Sequence, residues 1–289
     1  MKIMNEMPIT RFNINHYAEN LIEKDGVFFS RDTEEISYPA EGYDVHFGIE
    51  DNSFWFKHRN NCIVSLVRKY AHDRLIFDIG GGNGFVSQGL RGADIQTCLV
   101  EPSIEGCLNA KRRGLTNIIC ADMKNARFKA GIIPAIGLFD VIEHVENDVE
   151  FLNYINKILM PEGYLFIAVP AYNILWSNED IDLGHFRRYT LRALKKVLGE
   201  TGFEIVYSTY IFSFLIIPIL FFRTLPSRLG ITKSGGAVKS SKFKKEHNAG
   251  QRGIVGNVLA KFMSLELSQI KKSRAIPFGG SCLVVARKV

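Results

Sequence analysis

From residue 75 onward the chain alternates between two hydrophobic patterns. Short unbroken apolar runs, LIFDI, TCLVE, NIICA, AIGLFD and YLFIAV, are each flanked by Gly, Pro or Asp and read as buried strands. Between them, segments such as 149–159 (VEFLNYINKIL) place apolar residues at helical spacing. This alternation predicts an α/β fold, a parallel sheet with helices on both faces. Two later strands are predicted, FEIVYSTY at 203–210 and SCLVVARK at 281–288. About 70 residues separate them, so an insertion carrying its own helices must intervene. Ahead of the sheet, 53–70 is predicted helical and holds the aromatic cluster Phe54, Trp55 and Phe56. The pattern divides the chain into an N-terminal helical cap (1–70), a core (71–210 and 278–289) and an insertion (211–277).

Composition agrees with a globular protein. The 289 residues are 46% apolar and 23% charged, which excludes wholesale disorder and allows one large domain or two small ones. The five cysteines are scattered and form no C-x-x-C pair, which argues against a disulfide framework or a structural zinc site and fits a reducing compartment. The N-terminal stretch MKIMNEMPITRFNINHYAEN has no basic segment followed by an apolar run, so a cytoplasmic location is expected.

Charge changes the picture in one place. Eight Lys/Arg and a single acid, Glu246, lie between Arg223 and Arg252, although the whole chain is only +6. Such a segment suits a phosphate or an anionic surface, or is a solvated loop. Just before it, residues 205–222 carry no charge, but Ser208, Thr209, two tyrosines and Pro218 dilute the run below a membrane span. Its first half is the sixth strand. The remainder is expected to cover a pocket, with a shallow peripheral membrane contact as the alternative.

The strongest chemical signal is Asp78-Ile-Gly80-Gly81-Gly82-Asn83-Gly84, directly after the first core strand and before a helix. A loop this rich in glycine lets a ligand approach the backbone at the carboxyl edge of a sheet. The dinucleotide pattern G-x-G-x-x-G fails, because Phe85 or Ser87 stands at its third glycine, and no Gly-Lys-Ser/Thr follows for a P-loop. The pattern that fits is D-x-G-x-G-x-G. Glu101 ends the next strand, where a carboxylate can hold a ribose diol, and Asp122 ends the third, within reach of an adenine amine. Each acid alone would be read as a helix cap or a loop end. Three acids at three successive strand ends make a ligand-binding edge.

At this point the chain resembles the class I S-adenosylmethionine (SAM)-dependent methyltransferases, through FWFKHRN, DIGGGNG, VEPS, ADM, FDVIEHVEND, LMPEGYLFIAVPA, GHFRRYT and PFGGSCLVVARK. It is similar to bacterial small-molecule enzymes of the ubiquinone O-methyltransferase type, although Gly81 stands where many relatives carry Cys. The resemblance implies a Rossmann-like seven-stranded sheet with an antiparallel last strand. It also implies that Gly80, Gly82 and Gly84 approach the methionine part of SAM, while Asp78 organises the loop and reaches the ammonium. Glu101 would hold the ribose, Asp122 and Met123 would flank the adenine, and Phe139 and Asp140 would sit beside the sulfonium. Arg59 matches a family position that meets the SAM carboxylate, or is a surface arginine.

Methyl transfer needs a positioned acceptor, and a base only for a weakly acidic one. His144, in Asp140-Val-Ile-Glu143-His144, is the candidate base, its alternative being a brace for the following helix. Asp140, Glu143 and His144 also offer ligand atoms at i, i+3 and i+4, and a similar cluster is associated with a divalent metal in some quinone O-methyltransferases; no supporting shell is legible, so no metal is assigned. The loop PAYNILWSNEDIDLGHFRRYT offers Tyr172, Trp176, His185 and Arg188 as acceptor contacts, or as hydrogen bonds that pin the loop. The expected function is methylation of a small molecule at oxygen. Two rivals remain, a SAM-binding protein without catalysis and a nucleic-acid methyltransferase. The second lacks an Asn/Asp-Pro-Pro-Tyr/Phe signature after the fourth strand, where FDVIEH stands, so no nucleic-acid partner is expected.

Overall fold

A computed structural model of the protein describes residues 12–31, 47–232 and 253–289. Nine strands build one sheet: β1 (Leu21–Lys24), β2 (Val27–Ser30), β3 (Ile76–Ile79), β4 (Thr97–Glu101), β5 (Ile118–Cys120), β6 (Ile133–Phe139), β7 (Leu159–Pro170), β8 (Phe203–Ile211) and β9 (Ser281–Lys288). Their order across the sheet is β1-β2-β5-β4-β3-β6-β7-β9-β8. The run from β2 to β7 is parallel, and β9 is antiparallel to both its neighbours. The seven expected strands are therefore present with the expected antiparallel last strand.

The two additional strands correct the expected helical cap. Residues 21–30 form an antiparallel hairpin whose second strand pairs with β5 at the sheet edge. The turn is Asp25-Gly26, with φ of 52° and 75°. Two left-handed residues in sequence are what a two-residue hairpin turn requires, and Asp-Gly supplies them at low cost.

The helices are α1 (Phe54–Tyr70), α2 (Phe85–Arg91), α3 (Ile104–Arg112), α4 (Met123–Ala126), α5 (Asp148–Ile158), α6 (Asn178–Asp182), α7 (Leu191–Glu200), α8 (Ile216–Ile219), α9 (Leu225–Arg228) and α10 (Gly253–Lys271). Ser53 caps α1, Ser103 caps α3 and Thr190 caps α7, each accepting a backbone N–H from the first turn. Strand alternation divides the core between the two faces. Phe77 and Ile79 of β3 pack with Leu152 and Ile155 of α5 and Leu194 of α7. Ile76 packs on the opposite face with Ile63 and Leu66 of α1, Leu90 of α2 and Ile270 of α10. Asp78 shares the α1 and α2 face with Ile76, which directs its carboxylate toward the glycine loop.

Chain connections leave β3 toward β4 on one side and β6 toward β7 on the other. The order thus reverses at β3/β6, the switch point where open α/β sheets bind ligands at their carboxyl ends. The insertion supplies α8, a π turn (Leu220–Thr224), α9 and α10; its segment 233–252 lies outside the described residues. Helix α10 is held to α1 by a buried pair, His58 Nε2 to Glu266 Oε2 at 2.9 Å. The Glu266 carboxylate also accepts the backbone N–H groups of Phe212 and Ser213, fastening α10 to the end of β8.

Candidate active site

Around the β3/β6 switch point the glycine loop separates two cavities that share Gly80. The smaller, about 150 Å³, is bounded by Arg59, Asp78, Gly82, Phe139 and Asp140, with Phe56 and Phe85 as aromatic walls. The larger, about 440 Å³, runs under Asp122, Met123, Val141 and Tyr154 and is mostly apolar. The larger falls within the range of about 300–1,000 Å³ usual for small-molecule sites.

Local backbone geometry explains how the two cavities meet. Gly80 and Gly84 have φ of 67° and 77°, in the left-handed region. A Cβ at Gly80 would lie 2.9 Å from Val141 Cγ2, and one at Gly84 would lie 2.7 Å from Leu115 Cδ1, so both positions exclude a side chain by conformation and by space. Asp140 itself adopts φ of 57° although it is not glycine. That turn ends β6 and brings Val141 against Gly80.

The acids occupy distinct environments. Asp78 is buried and accepts a hydrogen bond from Ser87 Oγ at 2.7 Å. Burial pushes its carboxyl up to about 6, opposed by the Ser87 bonds and the Arg59 charge. Glu101 accepts from the N–H of Gly82 on one oxygen and of Ser103 on the other, both at 2.9 Å. One carboxylate thus joins the glycine loop to the start of α3. Asp122 caps α4 and takes two hydrogen bonds from Asn125, one to each oxygen, while it and Met123 border the larger cavity. Arg59 is buried, pairs through Nη2 with Asp140 Oδ2 at 2.7 Å, and leaves its Nε without a hydrogen-bond partner among the described residues.

Two residues that the sequence pattern did not single out complete this edge. Arg113 donates to the carboxylates of Glu50 and Asp51 and to the Asn83 carbonyl, and lies over the rings of Phe47 and Phe85. It anchors the segment ahead of α1 to the glycine loop. Glu50, whose carboxyl burial raises above its usual range, borders the smaller cavity. Both lie at helix ends far apart in sequence, so no local pattern announces them.

The loop after β7 is organised around Asp180. Arg188 clamps it with Nε to Oδ1 at 2.7 Å and Nη2 to Oδ2 at 2.9 Å, and His185 Nδ1 contacts Oδ1 at 2.9 Å. Burial pushes the Asp180 carboxyl up, but bonds from His185 and Arg188 outweigh it and hold the group well below its ordinary value. Tyr172 stacks on Tyr210 with ring centres 5.1 Å apart, and Trp176 follows the short turn Asn173–Leu175. His144 lies in the turn after β6 and packs edge-on against His185, 4.7 Å between ring centres. Desolvation and then the neighbouring His185 lower its pKa, which favours the neutral ring.

The ligand atoms that the structure brings together differ in membership from the i, i+3, i+4 trio. Glu143, His144 and His185 present ligand atoms within 4.8 Å of one another, while Asp140 is engaged by Arg59. The Glu143 carboxyl is fully buried, neither oxygen has a hydrogen-bond partner among the described residues, and burial raises it well above its ordinary value. The Asp180–His185 contact supplies the orienting partner that metal-bound histidines usually have.

The decisive comparison is with protein families. Residues 63–208, half of the chain, match the family described as "Methyltransferase domain". The chain belongs to this family. It is an enzyme, a SAM-dependent methyltransferase of class I. Solved structures agree on the fold. A putative methyltransferase from Haloferax volcanii, in complex with its Trm112 activator, superposes with a TM-score of 0.52 at 15% identity, covering 86% of this chain and 94% of that one. Phosphoethanolamine N-methyltransferase 2 from Haemonchus contortus, with phosphomonomethylethanolamine and S-adenosylhomocysteine, gives 0.53 at 15% identity, covering 88% of this chain and 59% of that one. A search of curated protein sequences found no match. The methyltransferase edge fits its cofactor on its own evidence: Gly82 faces open space, Arg59 Nε has no partner among the described residues, and acidic groups line the cavity where a cationic sulfonium and ammonium would lie.

Proposed function

We propose that this methyltransferase methylates an oxygen of a small amphipathic acceptor. The observation that carries the reading is the His144 ring, held in the turn after β6 and packed edge-on against His185 of the loop after β7, next to the smaller cavity. Asp122 and Met123 hold the adenine end in the larger cavity, and Glu101 holds the ribose between the two. Arg59 receives the cofactor carboxylate through its Nε, which has no partner among the described residues, while Asp78 and Asp140 balance the cationic groups. Bound SAM supplies an electrophilic methyl group on a positively charged sulfur.

The chain's own task is then positioning and water exclusion. Phe56, Phe85 and Phe139 wall the smaller cavity. The acceptor loop is covered by the helices after β8: Thr224 Oγ1 donates to the Leu175 carbonyl at 3.1 Å, Arg228 to the Ile174 carbonyl at 2.9 Å, and the Asn178 N–H to Ser227 Oγ at 2.9 Å. His185 and Arg188 shape that loop through Asp180, and Tyr172 and Trp176 face the acceptor. His144 would take the hydroxyl proton of the acceptor, while bound SAM would give up its methyl group and leave as S-adenosylhomocysteine.

The test measures S-adenosylhomocysteine release with a panel of phenolic, carboxylate and phosphorylated acceptors, together with mass spectrometry of small molecules that co-purify. Turnover of a hydroxyl acceptor that falls about 100-fold in His144→Ala with SAM affinity intact supports the reading. Exclusive turnover of amines, or unchanged turnover in His144→Ala, overturns the oxygen assignment.

A further inference from the structure

The helices after β8 are amphipathic in the wrong sense for a soluble protein. Their polar groups turn inward: Thr224, Ser227 and Arg228 bond the acceptor loop, and Arg223 pairs with Glu179. Their large apolar side chains turn outward. Phe222 is 78% exposed and Ile231 71%, and Ile217, Phe221 and Leu229 are exposed with them. Helix α10 continues this pattern with exposed Val258, Phe262 and Leu265, at i, i+4 and i+7. The Phe214 and Phe262 rings stack 5.8 Å apart, joining the two helical segments.

Charge tells what covers this face. The described part of residues 205–289 holds eight Lys/Arg against one acid, Glu266, which is buried against His58. The exposed basic groups near α10 include Lys261, Lys271, Lys272 and Arg274. No exposed acid therefore stands among the apolar side chains in the described part of this region. A second copy of the chain would set this basic surface against itself. A nucleic acid would satisfy the charges but leave Ile217, Leu229, Ile231, Val258 and Leu265 without a partner. An anionic bilayer satisfies both, with lysines at the headgroups and aromatic and aliphatic side chains in the acyl boundary. No helix among the described residues is long and apolar enough to cross a membrane, which fits a helix lying on the surface.

We propose that α8, α9 and α10 form an interfacial docking surface for anionic membranes. Of these, α9 and the turn before it also cover the acceptor loop, so a docked enzyme would take its amphipathic acceptor from the lipid side; that last link rests on the proposed function, whereas the docking does not.

Co-sedimentation of the full chain with vesicles tests it. Vesicles of phosphatidylcholine mixed with phosphatidylglycerol should bind the protein at least about tenfold better than phosphatidylcholine alone, and salt should weaken the difference. Phe222→Glu with Ile231→Glu should cut binding by about tenfold or more. Lys271→Glu with Lys272→Glu should reduce the preference for the anionic vesicles. Calorimetry with SAM should show unchanged affinity in all variants, which separates loss of docking from loss of folding and keeps the result independent of the methylation reading. A folded, SAM-binding wild-type protein that fails to sediment with anionic vesicles overturns the proposal. So does binding insensitive to Phe222→Glu with Ile231→Glu, or a preference for an RNA oligonucleotide over the vesicles.

Discussion

The cofactor edge and the carboxy-terminal cover are built on opposite rules. At the edge, acids and glycines crowd together, and charged groups are mostly matched: Glu101 by two backbone N–H groups, Arg113 by Glu50 and Asp51, Asp78 by Ser87. In the cover, acids are almost missing and apolar side chains face out. The contrast teaches that a reaction edge must be preorganised inside the protein, because buried charges without partners are expensive. A cover can leave its surface unfinished when something else completes it.

The largest expected effect lies at the joint between the two regions. Asp180→Ala strips the buried Arg188 of both its carboxylate bonds, so the folded state should lose about 3–5 kcal/mol in urea unfolding. A loss below about 1 kcal/mol would mean that loop and core are not coupled through this residue.

The next effect belongs to pH. A carboxyl raised to about 6 by burial favours the protonated folded form. Its stabilising contribution is full below about pH 4 and is lost as pH rises through 6, a change of about 3 kcal/mol at most. Asp78→Asn should flatten that part of the stability profile. A cationic ligand favours the ionised carboxylate, so SAM affinity should rise between pH 5 and 7 in the wild type and much less in the variant; calorimetry at several pH values checks this.

Glu101→Ala should weaken SAM binding by about 1–3 kcal/mol, because it removes charge-assisted hydrogen bonds and unties Gly82 from α3. The smallest cofactor effect is expected in the cover. Deleting residues 233–245 should change SAM affinity by less than about 0.5 kcal/mol, while turnover of the true acceptor falls and high salt mimics the loss. Equal damage to cofactor binding from Glu101→Ala and from the deletion would erase the distinction between the two regions.

Much of the core was legible along the chain. The apolar runs that predicted strands coincide with β3 to β9, and Asp78, Glu101 and Asp122 stand at successive strand ends. These are local signals, set by period and by the conformational freedom of glycine, and they need no distant partner to act. The hairpin β1–β2, in the region expected to be helical, also carries a local signal, Asp25-Gly26 between LIEK and VFFS. Other features were not local. Arg113 reaches Glu50 across 63 positions, His58 meets Glu266 across 208, and Glu143, without a hydrogen-bond partner among the described residues, comes within ligand distance of His185 on another loop. Sequence alone determined the order of strands and helices and the residue types at the reacting edge, because periodicity and turn chemistry act over a few residues. Only the tertiary structure decided which charges neutralise one another and which way the cover helices face, because Coulomb interaction and burial depend on distances that chain folding alone creates.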